Sequence, residues 1–428
     1  MKRGALQSIT AIKVKSRAKI TNTKFHHTTA LLTGIKKMCS LKKLVYLQNN
    51  VFADMDKAKA KAMESGQIII DLSLGSTNLP APEQVISSIQ ASLHDPTTHS
   101  YSLFQSTQNF RQTVANWYTK RYGVNVNPET EVISLIGCQE GTAYLPLAIL
   151  NPGDFALLLD PGYPSHSGGV YLASGQIYTM PLLEKNHFLP IFEDIPQSIL
   201  ALARMIVLSY PHNPTGAVAP LSFFQEAVNF CRQHDLVLVH DFPYADIVFD
   251  EGTTVPSVLQ ADPNKEISIE FFSFSKSYNM SGFRIGYAIG NSQLIQGLQR
   301  VKSVINFNQY KGILKGATVA LKNSEEILSN TVAVLKERRN ALFKAFKNIG
   351  WELNLPVATM FAWIRLPNTY RKNSVHFCTK LLEETGVAVS PGIGFGNTGE
   401  GYIRLALAQD PETLEKAVKN ISEFMKNV

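Results

Sequence analysis

The sequence predicts an α/β protein in which a mainly parallel sheet carries helices on its faces and a smaller α+β domain follows. Five apolar runs predict the strands of the sheet, at 131–137, 154–161, 203–211, 235–241 and 267–275. They are continuously apolar rather than alternating, as expected of parallel strands that are buried on both faces. The helical spacing of residues 221–235 places a helix between two of these strands, which completes the α/β pattern.

The pattern changes at about residue 311, where a second domain is predicted to begin. A long helical stretch at 325–350 leads to a strand-like run at 358–367 and a helix at 375–386. A glycine-rich loop and a final strand follow, at 390–401 and 402–408. This order of elements is typical of an α+β domain.

Composition narrows the class of protein. The chain has 428 residues, a length that favours about two domains. No apolar run reaches the ~20 residues that a membrane-spanning helix requires, so we expect no membrane partner. The four cysteines are widely spaced and form no Cys-x-x-Cys pair, which argues against a zinc site and a disulfide framework and fits a reducing cytoplasm.

The formal net charge of +7 does not indicate a nucleic-acid partner. The first acidic residue is Asp54, and eleven of the 41 Lys and Arg residues precede it. Without those eleven, 30 basic residues face 34 acidic ones, so the remaining chain has a net charge of −4. A mildly acidic body of this kind gives no electrostatic reason to expect nucleic-acid binding.

Residues 1–45 are predicted to be a disordered basic extension, because they show no helical or strand period. An alternative is that translation begins at Met38. A less favoured alternative is that residues 1–37 are an organelle-targeting peptide, since they contain Ser, Thr and basic residues but no acid. We therefore expect a chain that starts at Met38 to keep its fold, cofactor and activity.

Lys276 is the most informative residue of the sequence. It lies in the run SFSKSYNMSGFRIGY, directly after the predicted strand 267–275, with Ser273 three residues before it and Arg284 eight residues after it. Burial and neighbouring charges lower the pKa of such a lysine and make its amine nucleophilic. The run therefore predicts an amine that attacks a carbonyl, beside groups that could hold a phosphate.

Polar or turn-forming residues follow each of the five predicted strands. They are Gly137 to Glu140, Asp160 to Tyr163, His212 to Gly216, Asp241 with Tyr244, and Lys276. Because ligands bind outside the carboxyl ends of the strands in such sheets, we expect these residues to converge on one site.

Taken in order, these motifs resemble the fold-type I pyridoxal-phosphate enzymes, specifically the class I and II aminotransferases. The resemblance covers about residues 46–428, and SKSYNMSGFRIGY is most similar to the lysine motif of the branch that holds the LL-diaminopimelate, alanine and prokaryotic aspartate aminotransferases. It implies a large cofactor-binding domain at 76–310 with a seven-stranded type of sheet. It also implies a small domain made of residues 311–428 and an N-terminal segment at 46–75.

The resemblance implies a role for each of these residues. Lys276 would carry pyridoxal phosphate covalently and move a proton, Asp241 would pair with the ring nitrogen, and Tyr244 would bond the phenolic oxygen. The catalytic residues would thus be Lys276, Asp241 and Tyr244. The cofactor would contact Tyr101, Cys138, Gln139, Tyr163, Asn213, Asp241, Tyr244, Ser273, Lys276 and Arg284.

Three residues would bind the substrate. Arg404, in GYIRLALA, would clamp the α-carboxylate, and Gly75 and Asn213 would line the pocket. Tyr101 matches a tyrosine that reaches the phosphate of the neighbouring subunit, which implies a homodimer with shared active sites. The chain has Ser106 where a glycine is usual, and this puts the shape of that loop in doubt.

The sequence argues against two other kinds of site. The glycine-rich run PGIGFG does not open a helix after a strand, so it is not a dinucleotide-binding motif. The ten histidines show no ligand spacing, and no metal is expected.

The sequence thus predicts a cytoplasmic homodimeric aminotransferase that moves an amino group from an L-amino acid to a 2-oxo acid by ping-pong half-reactions. Diaminopimelate, glutamate, aspartate and alanine all remain possible substrates. A C–S β-lyase that uses the same lysine is the alternative enzyme. A non-catalytic regulatory domain of the same fold is the alternative from another class.

Overall fold

The computed structural model describes residues 51–426, apart from residues 251, 254 and 352. The predictions for residues 1–45 lie outside these ranges. The α-helices are α1 Val51–Glu64, α2 Glu83–Leu93, α3 Gln108–Tyr122, α4 Cys138–Ile149, α5 Pro164–Leu172, α6 Gln197–Leu200, α7 Leu221–Gln233, α8 Val258–Ala261, α9 Phe274–Ser277, α10 Ser292–Ile305, α11 Lys311–Lys322, α12 Ser324–Asn348, α13 Ser374–Thr385 and α14 Pro411–Lys426. The strands are β1 Ile70–Asp71, β2 Val132–Leu135, β3 Phe155–Asp160, β4 Gln176–Pro181, β5 Ala203–Leu208, β6 Val237–Asp241, β7 Ser268–Ser273, β8 Gly286–Gly290, β9 Phe361–Arg365, β10 Val387–Ala388, β11 Ser390–Pro391 and β12 Tyr402–Ala406.

A seven-stranded sheet with the order β2-β8-β7-β6-β5-β3-β4 forms the centre of the larger domain. The five predicted runs became β2, β3, β5, β6 and β7, and all five run in one direction. Strand β8 pairs antiparallel with both of its neighbours, and β4 adds a parallel edge. Neither β4 nor β8 was predicted. The sheet is therefore mainly parallel.

Both faces of this sheet are covered, which explains why its strands are continuously apolar. In β5, Ile206 and Leu208 pack into one hydrophobic core, whereas Met205 and Val207 pack into the core on the opposite face. Because successive side chains of a strand point to opposite faces, both sets of positions must be apolar.

The smaller domain contains an antiparallel sheet with the order β11-β12-β9 and a two-stranded parallel pair, β1 with β10. Its own core includes Met55 of α1 and Leu72, which follows β1. Residues from the beginning and from the end of the chain therefore share this core.

Helix α12 contributes to both hydrophobic cores, one at each part of its length. Leu328, near the start of this helix, packs in the larger domain, and Leu335 packs in the smaller one. Helix α11 belongs to the larger core through Leu314 and Ala317. The predicted boundary at residue 311 therefore lies one helix before the change of core, because the helical pattern of the sequence does not reveal which core a helix covers.

The carboxyl ends of the parallel strands meet at one edge of the large sheet. Asp160, Asp241 and Ser273 are the last residues of β3, β6 and β7. This edge positions the site described below. Across the part of the chain that the structure describes, none of the helices combines the length and the apolar character needed to cross a membrane.

Candidate active site

A cavity of about 510 Å³ opens at this edge and is lined by residues from both domains. Eleven of the twelve site residues predicted from the sequence line it, namely Gly75, Cys138, Gln139, Tyr163, Asn213, Asp241, Tyr244, Ser273, Lys276, Arg284 and Arg404. They come from segments up to 329 positions apart, counted from Gly75 to Arg404. The twelfth, Tyr101, is not among the lining residues.

Lys276 lies in the short helix α9, directly after β7. Ser273 caps this helix, because its Oγ accepts a hydrogen bond from the backbone N–H of Ser275 at 3.1 Å. The Lys276 ammonium donates to the carbonyl oxygen of Gly75. Burial, followed by the nearby guanidinium groups of Arg404 and Arg284, lowers the pKa of Lys276 to about 8. A substantial fraction of its amine is therefore neutral near physiological pH.

Asp241 is the last residue of β6 and is buried. One of its carboxylate oxygens, Oδ2, lies 2.9 Å from Nε2 of His166. The other oxygen, Oδ1, is buried without a hydrogen-bond partner among the described residues. A buried carboxylate oxygen that lacks a donor is costly, so this atom marks a place where a donor is expected to bind.

Arg404, on β12, is buried between the rings of Phe361 and Phe395, whose centroids lie 4.1 and 4.7 Å from its guanidinium carbon. Its Nη1 donates to Oδ1 of Asn213 at 2.9 Å, and its Nη2 donates to the carbonyl of Ser73 at 2.8 Å. Burial lowers the pKa of Arg404 to about 10.

The charge of Arg404 is not compensated within the described chain. No carboxylate of the residues that the structure describes forms an ion pair with it, and its Nε is buried without a partner among them. A buried planar guanidinium in this state is suited to an incoming carboxylate, which it can bind through two parallel hydrogen bonds.

Gly137 and Arg284 form a cationic corner at the start of α4. Gly137, the residue before the helix, has a φ of +74°, and a Cβ built on it would lie 2.4 Å from Nη2 of Arg284. The positive φ favours glycine here, and the missing side chain lets the guanidinium pack directly against the turn. The first N–H groups of a helix have no partner within the helix, and here they begin at Cys138. This corner is suited to an anion.

Two tyrosines lie on the walls of the cavity. The ring of Tyr163 meets the ring of His166 edge to face, with 5.7 Å between their centroids. Tyr244 is buried and packs against Phe361 at 5.5 Å. Burial raises the pKa of Tyr244 well above its ordinary value, although Arg404 opposes the shift, so its hydroxyl keeps its proton. Gly75 packs against Phe361 and Arg404, where a Cβ would lie 3.3 and 3.6 Å from the nearest atoms of these two residues.

Tyr101 lies apart from the other predicted residues, on the surface. It is 77% exposed and packs against Phe307, with 5.2 Å between ring centroids. Leu103, Val304 and Ile305 are also exposed large hydrophobic residues in the adjoining segments. A single chain does not bring Tyr101 to the cavity that the other eleven residues share.

Sequence reasoning missed three side chains that shape the site. His166 follows Tyr163 by three residues in the motif DPGYPSH and lies on α5, so helical spacing could have indicated it. Phe361 and Phe395 lie in apolar or glycine-rich runs and carried no signal. Their contacts with Arg404 arise from the tertiary structure alone.

Comparison with known proteins identifies the family of the chain. The family model of aminotransferase class I and II matches residues 67–421. The LL-diaminopimelate aminotransferase of Dehalococcoides mccartyi is 41% identical over 386 residues, which cover 90% of this chain and 99% of that protein. That of Moorella thermoacetica is 41% identical over 378 residues, covering 88% and 96%.

Solved structures give the same result. A probable N-succinyldiaminopimelate aminotransferase from Thermus thermophilus superposes with a TM-score of 0.82 at 42% identity, over 87% of this chain and 99% of that one. Substrate-bound BacF from Bacillus subtilis superposes with a TM-score of 0.86 at 33% identity, over 90% and 98%. The fold class and the resemblance inferred from the lysine motif are thereby confirmed. The chain belongs to the class I and II aminotransferases and is a pyridoxal-phosphate-dependent enzyme that transfers an amino group from an amino acid to a 2-oxo acid.

Proposed function

We propose that this enzyme transfers an amino group between LL-diaminopimelate and a 2-oxo acid, as a step of amino-acid biosynthesis. The observation that carries the proposal is the 41% identity to aminotransferases that bear this substrate's name, extending over nearly the whole length of those proteins. The cavity is consistent with a substrate of this kind, because it spans from the lysine to residues of α1 such as Met55 and Asp56. A seven-carbon diamino acid needs that extended space.

The residues of the cavity fit pyridoxal phosphate. The unpartnered Oδ1 of Asp241 is an acceptor for the protonated ring nitrogen, and the corner at Gly137 and Arg284 suits the phosphate. Lys276 supplies an amine for covalent attachment. When bound, the cofactor supplies an aldehyde carbon that bonds amines and a conjugated ring that accepts electrons.

Lys276 has two tasks in this proposal. Its amine would hold the cofactor, and when that amine is free it would take the proton from the substrate Cα. Both tasks need the neutral amine, which a pKa of about 8 provides more readily than the ordinary 10.5.

Asp241 keeps the ring nitrogen protonated, and His166 holds the Asp241 carboxylate in place. The phenolic oxygen of the cofactor would be bonded by the hydroxyl of Tyr244 and the side chain of Asn213, while Tyr163 would pack against the ring. The phosphate would be bound by the backbone N–H groups at Cys138 and Gln139, the hydroxyl of Ser273 and the guanidinium of Arg284. These assignments draw on the shared cavity and on the chemistry of each group.

Arg404 binds the substrate α-carboxylate. Asn213 and the carbonyl of Ser73 already hold the two terminal nitrogens of its guanidinium, which fixes the plane of the group before substrate arrives. Because Gly75 has no side chain, no Cβ crowds Phe361 and the guanidinium on this side of the cavity. A guanidinium that is oriented in advance would bind the α-carboxylate so that the substrate Cα lies near Lys276.

We further propose a cytoplasmic homodimer whose two active sites are shared. Tyr101 is exposed among other exposed apolar side chains, and a two-fold assembly would cover this surface and carry Tyr101 to the phosphate site of the partner. The three described cysteines are buried and free, which favours a reducing compartment.

The test of the substrate is a donor and acceptor panel with purified enzyme. LL-diaminopimelate with 2-oxoglutarate should yield glutamate at a higher kcat/KM than meso-diaminopimelate, aspartate or alanine does. Efficient transfer from another donor, with no transfer from LL-diaminopimelate, would contradict the assignment. Release of pyruvate and ammonia from cystathionine or cysteine conjugates would instead indicate a lyase.

A further inference from the structure

A buried ion pair lies directly behind the turn that carries Gly137. The side chains of Glu140, on α4, and Lys302, on α10, are each 5% exposed. The Lys302 ammonium nitrogen lies 2.7 Å from one carboxylate oxygen of Glu140 and 2.6 Å from the other. Neither residue is among those that line the cavity. Buried ion pairs often add little net stability, so stability alone does not account for this one.

The Glu140 carboxylate also binds the backbone of the turn. Its Oε2 accepts a hydrogen bond from the N–H of Ile136 at 2.8 Å, and its own backbone N–H donates to the carbonyl of Gly137 at 3.1 Å. Glu140 therefore closes a loop of contacts around Gly137 and fixes the direction of the chain where it enters α4.

The segment that follows α10 adds further contacts to the same turn. Asn306 donates from Nδ2 to Oε1 of Glu140 at 2.7 Å. Gln309 donates from Nε2 to the carbonyl of Leu135 at 3.0 Å and to that of Arg284 at 3.4 Å. The end of β2 and the backbone of Arg284, which flank the cationic corner on two sides, are thus tied to one segment.

The positive charge of Lys302 has a separate effect, which is to neutralise the carboxylate of Glu140. Glu140 lies in the first turn of α4, where the cationic corner at Gly137 and Arg284 would receive an anion. An uncompensated carboxylate there would repel a phosphate dianion, and the burial of Glu140 would limit the screening of that repulsion by water. Lys302 cancels that charge while leaving the hydrogen bond to Ile136 intact.

We propose that Glu140 and Lys302 are positioning residues that hold the turn at 136–138 in the shape that binds the cofactor phosphate. Glu140 sets the geometry of the turn, and Lys302 neutralises Glu140 so that the phosphate is not repelled. The inference rests on the proposed phosphate role of this turn. It is independent of which amino acid the enzyme uses.

The test compares the binding of pyridoxal phosphate with that of pyridoxal, which lacks the phosphate, to the apoenzyme in the absence of substrate. Glu140→Ala removes the acceptor for Ile136, and Lys302→Met leaves the carboxylate uncompensated. Each should raise the Kd for pyridoxal phosphate by roughly tenfold or more, as loss of a charged hydrogen bond implies. The Kd for pyridoxal should change little. Lys315→Met, which breaks the half-exposed ion pair of Lys315 with Asp95, is the matched control.

The double variant Glu140→Gln/Lys302→Met separates the two tasks. The amide oxygen of glutamine can still accept the N–H of Ile136, but it carries no charge, so this variant should bind pyridoxal phosphate more tightly than Lys302→Met alone. It also serves as the test if Glu140→Ala folds poorly. An unchanged Kd for pyridoxal phosphate in Lys302→Met and Glu140→Ala, or an equal loss for pyridoxal and pyridoxal phosphate, would overturn the proposal. Because no substrate is present, failure of the LL-diaminopimelate assignment would leave this result unaffected.

Discussion

His166 Nε2 lies 2.9 Å from Oδ2 of Asp241, and both side chains are buried. The contact leaves Oδ1 of Asp241 without a partner among the described residues, and under our proposal this oxygen would accept from the ring nitrogen of the cofactor while the imidazole orients the carboxylate. We expect His166→Ala to retain the cofactor but to lower kcat by about 10- to 100-fold, from the loss of one charged hydrogen bond. Asp241→Ala should lower kcat much further.

Steady-state kinetics on holoenzyme of equal cofactor content would measure this effect. His376→Ala removes an exposed imidazole on α13 and should leave kcat unchanged. A His166→Ala enzyme with the wild-type kcat would show that Asp241 does not need its neighbour.

The lowered pKa of Lys276 predicts how apoenzyme captures the cofactor at different pH values. Covalent attachment needs the neutral amine, whose fraction rises as pH passes through about 8 rather than 10.5. The rate of attachment should therefore rise up to about pH 9 and then level off. Absorbance after mixing apoenzyme with pyridoxal phosphate would report the rate. A rate that is still rising steeply at pH 10 would contradict the expectation.

The same shift predicts the stability of the apoenzyme. Between about pH 8 and 10.5 the unfolded chain holds a proton on Lys276 that the folded chain has lost, so this group makes the free energy of unfolding rise with pH in that window. Below pH 8 both states are protonated, and the cost of the buried charge is fully present. Lys276→Met should therefore stabilise the apoenzyme at pH 7, by up to about 3 kcal/mol, and much less at pH 10. Urea unfolding at the two pH values would measure the difference.

The uncompensated charge of Arg404 predicts a selective loss of substrate binding. Arg404→Ala should lower kcat/KM for every amino-acid substrate by an amount equivalent to about 2–5 kcal/mol, because a desolvated carboxylate would lose its partner. Arg404→Lys should recover only part of this loss, since an ammonium cannot make two parallel bonds. Cofactor content, read from absorbance, should stay near that of the wild type.

Arg365 provides a matched control for Arg404. It lies on the neighbouring strand β9 and pairs with Glu184 at the surface. Arg365→Ala should leave kcat/KM unchanged. If Arg404→Ala weakened a decarboxylated amine as strongly as the amino acid, Arg404 would not be the α-carboxylate site.

The exposed position of Tyr101 predicts shared active sites. Coexpression of Tyr101→Phe chains with Lys276→Ala chains should give hybrid dimers in which one site has an intact tyrosine and an intact lysine. With random pairing, about a quarter of all sites would be intact. The activity of the mixture should therefore exceed that of either parent enzyme. Sedimentation would establish the assembly, and a fully active monomer would be incompatible with this arrangement.

Sequence pattern determined much of the large sheet. The five apolar runs became strands that share one direction, because a strand covered on both faces must be apolar at every position. The placement of Asp241 and Lys276 at strand ends followed from the same pattern. Strands β4 and β8 escaped prediction. Strand β8 is buried throughout, but the glycines at its two ends leave an apolar run of only three residues in the sequence. Strand β4 keeps most of its side chains partly or fully exposed at the sheet edge, so it has no continuous apolar run.

The sequence by itself determined the fold class, the family and the residues that reach the carboxyl edge, since these depend on local apolar period and on motifs a few residues long. The tertiary structure alone decided that His166 meets Asp241, 75 positions away, and that two phenylalanines enclose Arg404. It also decided that Lys302 neutralises Glu140 across 162 positions. Such contacts depend on how separate elements pack, and a buried charge finds its partner through space, so no local pattern along the chain records the pairing.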